Sequence, residues 1–114
     1  MTAVEYVDLC AARADLIARV AARTADFDAL LMPTVALPAP PIAAFAQDED
    51  YFRLNALILR NPSIINFLDR CAVTLPIHQA GAMPIGLMVV GEHSRDRHLL
   101  AAASGIEVAI GAPG

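Results

Sequence analysis

The sequence contains no lysine and no tryptophan in 114 residues, and its eight basic residues are all arginines. The missing lysine excludes one class of chemistry. A Ser–Lys mechanism needs a lysine whose lowered pKa lets it accept the proton of the serine hydroxyl. An arginine stays protonated at any working pH and cannot replace it. This chain therefore cannot by itself carry out Ser–Lys catalysis.

Positive charge is scarce and scattered along the chain. Twelve acidic residues leave a formal net charge of −4, and the arginines form no basic run or stripe. Because nucleic-acid binding requires a clustered positive surface, the sequence argues against a nucleic-acid partner. The high apolar content excludes a disordered chain.

Long apolar segments without helix breakers are also lacking. Residues 29–46 and 71–91 carry no formal charge, but prolines interrupt both stretches and prevent a continuous spanning helix. Glu5 and Asp8 lie where a signal peptide would have basic residues. We therefore expect a cytoplasmic protein with no membrane segment.

Cysteine is limited to Cys10 and Cys71, which have neither metal-binding nor redox spacing. They are predicted to be small buried hydrophobic residues in a reducing compartment, rather than a disulfide. Gly81, Gly86 and Gly91 do not have the spacing of a dinucleotide-binding loop. The sequence therefore predicts no cofactor.

Apolar residues are what the chain has in excess. Apolar residues and glycine account for 69 of the 114 residues, counting Ala, Val, Ile, Leu, Met, Phe, Cys and Gly. This share is about 61%, whereas ordinary soluble domains have about 45–50%. Their spacing predicts three helices. The first covers residues 3–24, the second runs from about Asp48 to a stop at Asn61-Pro62, and the third runs from a Ser94 cap to Ile110.

Short apolar runs predict three buried strands, at residues 29–32, 71–75 and 85–90. The first run indicates a strand buried on both faces. A loop containing Gly81 separates the last two strands and favours an antiparallel pair. Residues 34–46 are predicted to be an extended loop, because prolines recur there. Residues 63–69 are compatible with either a helical turn or a loop.

This order of elements predicts an α/β fold with about three strands and three flanking helices, in one segment that covers residues 1–114. Strands that are apolar on both faces need cover on both sides and neighbours at their edges. Three helices are too few to supply that cover. The sequence therefore predicts that these strands are part of a larger mixed sheet.

No catalytic or metal-binding constellation is recognisable. Ser94 is explained as a helix cap, and no serine lies in a Gly-x-Ser-x-Gly elbow. His93 and His98 are five residues apart, not the four of a helical zinc pair, and His98 is expected to be solvated. Cys71 has no nearby base. The sequence therefore predicts no catalytic residue and no metal ligand of its own.

Four motifs nevertheless resemble, in order and spacing, the late part of the amidase signature family. They are DALLMPT at residues 28–34 with Ala39-Pro40 after it, NFLDRCAVTLP at residues 66–76, MPIGLMVVG at residues 83–91, and a closing helix at residues 96–107 that begins D-x-x-L-L. Each motif alone is weak, but together they cover nearly the whole chain. At residues 69–71 this chain has Asp-Arg-Cys where family members commonly have Gly-x-Pro, which points to a subgroup.

The resemblance implies an enzyme that hydrolyses carboxylic amides with two serines and a lysine, all of which lie outside this segment. It also implies that this segment completes the central mixed sheet of the amidase signature fold and forms part of the substrate-pocket wall. Asn61 and Asn66 are the candidate substrate-binding residues. The alternative for both, satisfying backbone groups at a helix end and a turn, is the more common role of such asparagines.

The leading hypothesis is therefore a C-terminal fragment of an amidase that is inactive alone and needs the N-terminal amidase half as its partner. The alternative is a small non-catalytic complementing or binding subunit that assembles with a separate catalytic chain. A third possibility is a stand-alone α/β domain that self-associates through its apolar faces. Oligomerisation is expected for the isolated chain, because exposed apolar surface promotes association.

Overall fold

Three long helices and three short strands account for most of the backbone in the computed structural model, which describes residues 1–111. They are α1 (Ala3–Thr24), β1 (Leu30–Pro33), α2 (Asp48–Phe67), β2 (Ala72–Pro76), β3 (Gly86–Val90) and α3 (Asp96–Ile110). This arrangement confirms the predicted mixed α/β fold. The proposed 1–114 segment extends three residues beyond those described.

The first helix begins and ends where the sequence predicts. Thr2 caps it, because the Thr2 hydroxyl accepts the Glu5 amide while the Glu5 carboxylate accepts the Thr2 amide. No residue of α1 is fully buried; of its apolar stripe, Ile17 and Ala21 are half-buried, whereas Val7, Cys10 and Ala14 are exposed. Cys10 lies on this helix and is exposed. The prediction that Cys10 is buried was wrong, because the part of α1 that contains Cys10 is left uncovered by the rest of residues 1–111.

The three strands form one antiparallel sheet in the order β1–β3–β2. Leu30 pairs with Val90, and Ala72 pairs with Val90 from the other side. The predicted antiparallel pair of the last two strands is confirmed. The central strand β3 is buried at Met88, Val89 and Val90.

The edge strands are less buried than predicted. In β1 half-buried and exposed residues alternate, and Leu31 is 55% exposed, so this strand is not buried on both faces. In β2 only Leu75 is fully buried. The prediction that the short apolar runs form strands is therefore confirmed. The described helices, however, cover each edge strand mainly on one face.

The two helices that do cover the sheet are staggered across it. On one face Leu99 and Ala103 of α3 pack with Leu75 and Val89. On the opposite face Ile65 of α2 packs with Met88 and Val90, and with the partly buried Leu30 and Met32 of β1. Helix α3 thus covers mainly β2 and β3, whereas α2 covers β1 and β3.

Helix α2 continues through Pro62 to Phe67, so the predicted stop at Asn61-Pro62 was wrong. A proline inside a helix removes one backbone hydrogen bond and restricts the residue before it. That residue, Asn61, is held by a side-chain bond to β1, and Ile65 beyond the proline is buried in the core. These tertiary contacts hold the helix together on both sides of Pro62.

Two further details differ from the prediction. Helix α3 begins at Asp96 with Arg95 at its cap position and no side-chain cap bond, so Ser94 is not the cap. The Arg95 amide bonds the Glu92 carbonyl, and this tight turn puts Ser94 at a φ of +59°, outside the extended region that a capping residue adopts. The predicted extended loop at residues 34–46 also contains one 3-10 turn, Ile42–Phe45.

The described chain is flat. Its extents are 52 × 43 × 18 Å and its radius of gyration is 17.2 Å, against about 13 Å for a compact domain of this length. Its accessible surface is 8114 Å², whereas a compact monomer of this mass exposes roughly 6000 Å². No helix within residues 1–111 is long and apolar enough to cross a membrane.

Candidate functional site

Two threonine hydroxyls meet at one end of the sheet. Thr34 follows β1 and Thr74 lies in β2, and their Oγ1 atoms are 3.2 Å apart. They approach each other across Gly86, the first residue of β3. A Cβ atom at Gly86 would lie 2.5 Å from Cγ2 of Thr74 and 2.8 Å from Oγ1 of Thr34. The close contact therefore depends on the absence of a side chain at Gly86.

Asn61 lies beside this threonine pair. It is 5% exposed, its side-chain Nδ2 donates to the Pro33 carbonyl at 2.8 Å, and its Oδ1 accepts from Nε of Arg60 at 3.1 Å. The structure thus places Asn61 at the end of β1 and one residue from Thr34. Both ends of its carboxamide have partners, as the backbone-satisfying alternative requires.

Asn66 is on the same helix but not in the same place. It is exposed, and its backbone carbonyl accepts the Asp69 amide at 3.1 Å in the turn that ends α2. Five residues of α-helix separate the two asparagines by about 140° around the axis. The structure therefore does not bring Asn61 and Asn66 together, and a substrate contact by either remains a prediction.

An apolar groove adjoins the threonine pair. Residues 35–38 and 84–86 line this cavity of about 190 Å³, which is smaller than the roughly 300–1,000 Å³ of common small-molecule sites. Its lining residues are all apolar, and one of them, Gly86, also lies against Thr34 and Thr74. The groove and the threonine pair together make an open corner with few polar groups, rather than a closed pocket.

A second polar cluster, the Arg13–Asp69 junction, ties α1 to the rest of the chain. Nε of Arg13 donates to the Phe67 carbonyl at 2.9 Å, its Nη2 pairs with the Asp69 carboxylate, and its guanidinium lies 5.3 Å from the centre of the Phe67 ring. Nδ1 of His93 donates to the Asp69 carbonyl at 2.7 Å. Helix α1, the α2–β2 turn and the β3–α3 turn thus meet at Asp69.

Asp69 also explains the departure from the resembled motif. Its φ is +53°, a left-handed conformation that glycine adopts freely and that aspartate tolerates better than most residues. Asp69 takes the position at which the family commonly has glycine, in a conformation that glycine adopts freely, and its carboxylate pairs with Arg13.

The reactive side chains form no catalytic centre within residues 1–111. Ser63, Ser94 and Ser104 are all exposed, and no cluster of three metal-ligating side chains occurs in this part of the chain. The Cys71 thiol donates to the Glu92 carbonyl at 3.0 Å, and both cysteines are free thiols. His98 is 45% exposed and lies 3.5 Å from Asp28.

Sequence reasoning missed Thr34 and Thr74. Both residues lie inside the motifs at residues 28–34 and 66–76, and Gly86 lies inside the third motif. Alternation along each strand gives the face on which a residue lies. The meeting of the two hydroxyls depends on the register of three strands, which no local pattern provides.

Comparison with known proteins extends this description. The sequence model of the Amidase family matches residues 1–100, which is most of the chain. The matched family is one of enzymes, named for their action on amides. The chain belongs to the amidase signature family, as its four motifs predicted.

Two curated relatives support the assignment. The chain is 38% identical over 87 residues to a 2-amino-5-chloromuconic acid deaminase of Comamonas testosteroni, a match that covers 75% of this chain and 19% of the relative. It is 31% identical over 93 residues to Amidase 1 of Oryza sativa subsp. japonica, covering 82% of this chain and 21% of the relative. The chain thus spans about a fifth of the length of these relatives. No solved structure matches it.

Proposed function

We propose that this chain is the C-terminal portion of an amidase-signature amide hydrolase and serves as part of its sheet and substrate-pocket wall. The observation that carries the proposal is the excess of surface on a sheet whose edge strands are half covered: 8114 Å², against roughly 6000 Å² for a compact monomer. Burial of this apolar surface against a larger part would stabilise both. The match, which covers only about a fifth of each relative, fits the same conclusion.

The corner formed by Thr34, Thr74 and the adjoining groove is the part of the chain that would face the substrate. The groove is lined by apolar residues, and the two threonine hydroxyls lie next to its lining residue Gly86; apolar walls with a few polar groups are typical of small-molecule sites. Asn61 would act there by holding the end of β1, because its carboxamide is occupied by Pro33 and Arg60. Asn66 would reach a substrate only from the opposite side of α2.

The chemistry itself would come from residues outside these 114. In amide hydrolysis by a serine, the hydroxyl oxygen adds to the carbonyl carbon and the C–N bond breaks as the amine takes a proton. Water then releases the carboxylate and restores the serine. The resemblance to the amidase signature family implies a lysine that acts as the base for the serine, and this chain contains no lysine. We therefore expect this chain to be inactive alone.

The test is complementation with a relative. The purified chain is assayed alone and after mixing with the Comamonas testosteroni deaminase from which the matched fifth has been deleted, with 2-amino-5-chloromuconic acid and simple aliphatic and aryl amides as substrates. Hydrolysis only in the mixture supports the proposal. Hydrolysis by the chain alone, above a boiled control, contradicts it. Buffer with the truncated deaminase alone gives the baseline.

The complementing-subunit alternative makes the same prediction for the mixture but differs in how the natural protein is encoded. Reading the DNA upstream of Met1 decides between them. An in-frame region bearing the serines and lysine indicates one polypeptide, whereas a separate neighbouring coding region indicates a subunit. The two free thiols support our proposal of a reducing, cytoplasmic location in either case.

A further inference from the structure

The two edge strands, β1 and β2, differ in the backbone groups that they leave open. In an antiparallel ladder, alternate residues direct both the N–H and the C=O group to one neighbour, and the residues between them direct theirs to the other side. The Gly91 amide bonds the Cys71 carbonyl, and the Ile77 amide bonds the Ile85 carbonyl. Odd-numbered residues of β2 therefore direct their backbone N–H and C=O groups toward β3. The even-numbered Ala72, Thr74 and Pro76 direct theirs outward, away from the sheet.

The outer edge of β1 is more restricted. The Thr34 amide bonds the Gly86 carbonyl, so even-numbered residues of β1 direct their backbone groups toward β3. Leu31 and Pro33 direct theirs outward. Pro33 has no N–H group, and its carbonyl already accepts Nδ2 of Asn61. Within β1 only Leu31 can pair with a further strand. The edge of β2, by contrast, presents two donors and three acceptors.

One side-chain face of β2 is also uncovered. The odd-numbered residues Val73 and Leu75 pack against α3, but the even-numbered residues of this strand are exposed. On their side of the sheet, α2 packs on β1 and β3 through Ile65 and does not extend to β2. The β2 edge, meaning the outward backbone and exposed side chains of Ala72, Thr74 and Pro76, is thus open in two directions.

We propose that the β2 edge accepts a strand from the part of the amidase that this chain lacks, by main-chain pairing with Ala72 and Thr74. The inference rests on the proposed function. The relatives are about five times longer than their matched segments, so they have chain enough for both a strand and a covering layer. The exposed side chains are uncharged, so an uncharged strand face fits beside them. Pairing ends at Pro76, which cannot donate.

A second copy of this chain is a poorer occupant. Two β2 strands paired with each other would extend the sheet, but their uncovered faces would then lie side by side and both remain in water. Apolar surface buried on one face is what specifies the register of a strand pair. A longer amidase portion can cover that face as well as the edge.

The first test is amide hydrogen exchange on the full 114-residue chain, alone and mixed with the truncated Comamonas testosteroni deaminase. In the isolated chain, the Ala72 and Thr74 amides should exchange much faster than those of Val73 and Leu75. In the complex, protection should appear at Ala72 and Thr74, while Leu31 stays unprotected. Slow exchange at Ala72 and Thr74 in the isolated chain, or protection at Leu31 instead, overturns the proposal.

Variants give a second, independent readout. Ala72→Pro removes one outward donor without touching the bonds to β3, and it should weaken binding of the truncated deaminase by roughly tenfold or more. Ala72→Ser keeps the donor and should bind as the parent does. Leu31→Pro removes the outward donor of the other edge and serves as the matched control. Circular dichroism of each isolated variant checks that the chain still folds.

The outcomes separate this inference from the proposed function. A complex that hydrolyses an amide while Ala72 and Thr74 remain unprotected overturns the edge and leaves the function standing. A complex that is protected at both residues but hydrolyses no amide overturns the proposed function and leaves the edge assignment standing. Failure of the two chains to associate, or self-association abolished by Ala72→Pro with no effect on binding of the deaminase, overturns the edge assignment.

Discussion

The side chain of Asn61 donates a 2.8 Å hydrogen bond to the carbonyl oxygen of Pro33, a residue 28 positions earlier in the chain. This bond joins the middle of α2 to the end of β1. It also occupies the outward-directed carbonyl of Pro33, the last residue of β1, so that this group is not available to another strand. One buried carboxamide thus holds a helix with an internal proline in place and restricts pairing at one end of the β1 edge.

Replacing Asn61 tests this double role. Asn61→Ala removes the donor of this part-buried bond, while Pro33 itself is exposed to water, so we expect a loss of about 0.5–1.5 kcal/mol in the free energy of unfolding. Urea denaturation followed by circular dichroism measures it. Asn66→Ala, on the exposed side of the same helix, is the matched control and should change stability by less than about 0.5 kcal/mol. Equal losses in the two variants would contradict the assigned contact.

Gly86 is predicted to tolerate no side chain. In Gly86→Ala the new methyl group meets Cγ2 of Thr74 at 2.5 Å and Oγ1 of Thr34 at 2.8 Å, so the strands must separate and we expect a loss of about 1–3 kcal/mol. Thermal or urea unfolding measures the loss. Thr74→Ser removes the nearer methyl group and should restore part of the stability when combined with Gly86→Ala.

Gly105 provides the matched control for that substitution. A Cβ at Gly105 meets nothing within 4 Å, and the residue lies in the interior of α3. Gly105→Ala should therefore stabilise the chain by about 0.5–1 kcal/mol, because alanine is the better helix former. If both glycine variants change stability in the same direction, crowding at Gly86 is not the cause.

Arg13 is predicted to hold α1 to the remaining structure. Arg13→Ala removes the bonds to Phe67 and Asp69 and the guanidinium above the Phe67 ring. Because these groups are partly exposed, solvent screening limits the cost to about 1 kcal/mol. The clearer result should be faster amide exchange and proteolysis within residues 3–24.

Arg19 is the control for Arg13. It lies on the same helix, and its side chain is 68% exposed and pairs only locally, with Asp15. Arg19→Ala should leave both the exchange of α1 and the overall stability nearly unchanged. An equal effect of the two arginine variants would mean that helix content, and not the Arg13–Asp69 junction, governs the docking of α1.

The two thiols should react at different rates. Cys10 is exposed on α1, whereas Cys71 is half buried and its thiol donates to the Glu92 carbonyl. A thiol reagent such as DTNB should label the native isolated chain in two phases, and Cys10→Ser should remove the fast phase. Labelling in denaturant gives the total. A single slow phase would indicate that self-association or another packing covers Cys10.

Local patterns were sufficient for most elements but not for their ends. The bounds of α1 followed from helical periodicity, and the positions of all three strands followed from short continuous apolar runs. The stop at Pro62 did not, because the contacts of Asn61 and Ile65 with the sheet outweigh the local cost of proline. Ser94 failed as a cap because a tight turn from Glu92 gave it a left-handed backbone.

The candidate site shows the same division. Asn61 was named from its position at the predicted end of α2, outside the four motifs, and the structure places its side chain on the Pro33 carbonyl, one residue before Thr34. Thr34, Thr74 and Gly86 come from three separate motifs, and only the strand register brings them together. Asn66 and Asn61 looked equivalent in sequence, yet the turn of the helix directs them to different sides.

By itself, the sequence determined that this chain cannot perform Ser–Lys chemistry, that it is a mixed α/β segment, and that it has the motifs of its family. These are properties of composition, local periodicity and motif order. Only the tertiary structure decided that Cys10 is exposed, that Asn61 occupies the Pro33 carbonyl at the β1 edge and that the β2 edge is left open by the rest of residues 1–111. Burial and pairing depend on contacts between segments far apart in the chain, and no local pattern encodes which segments meet.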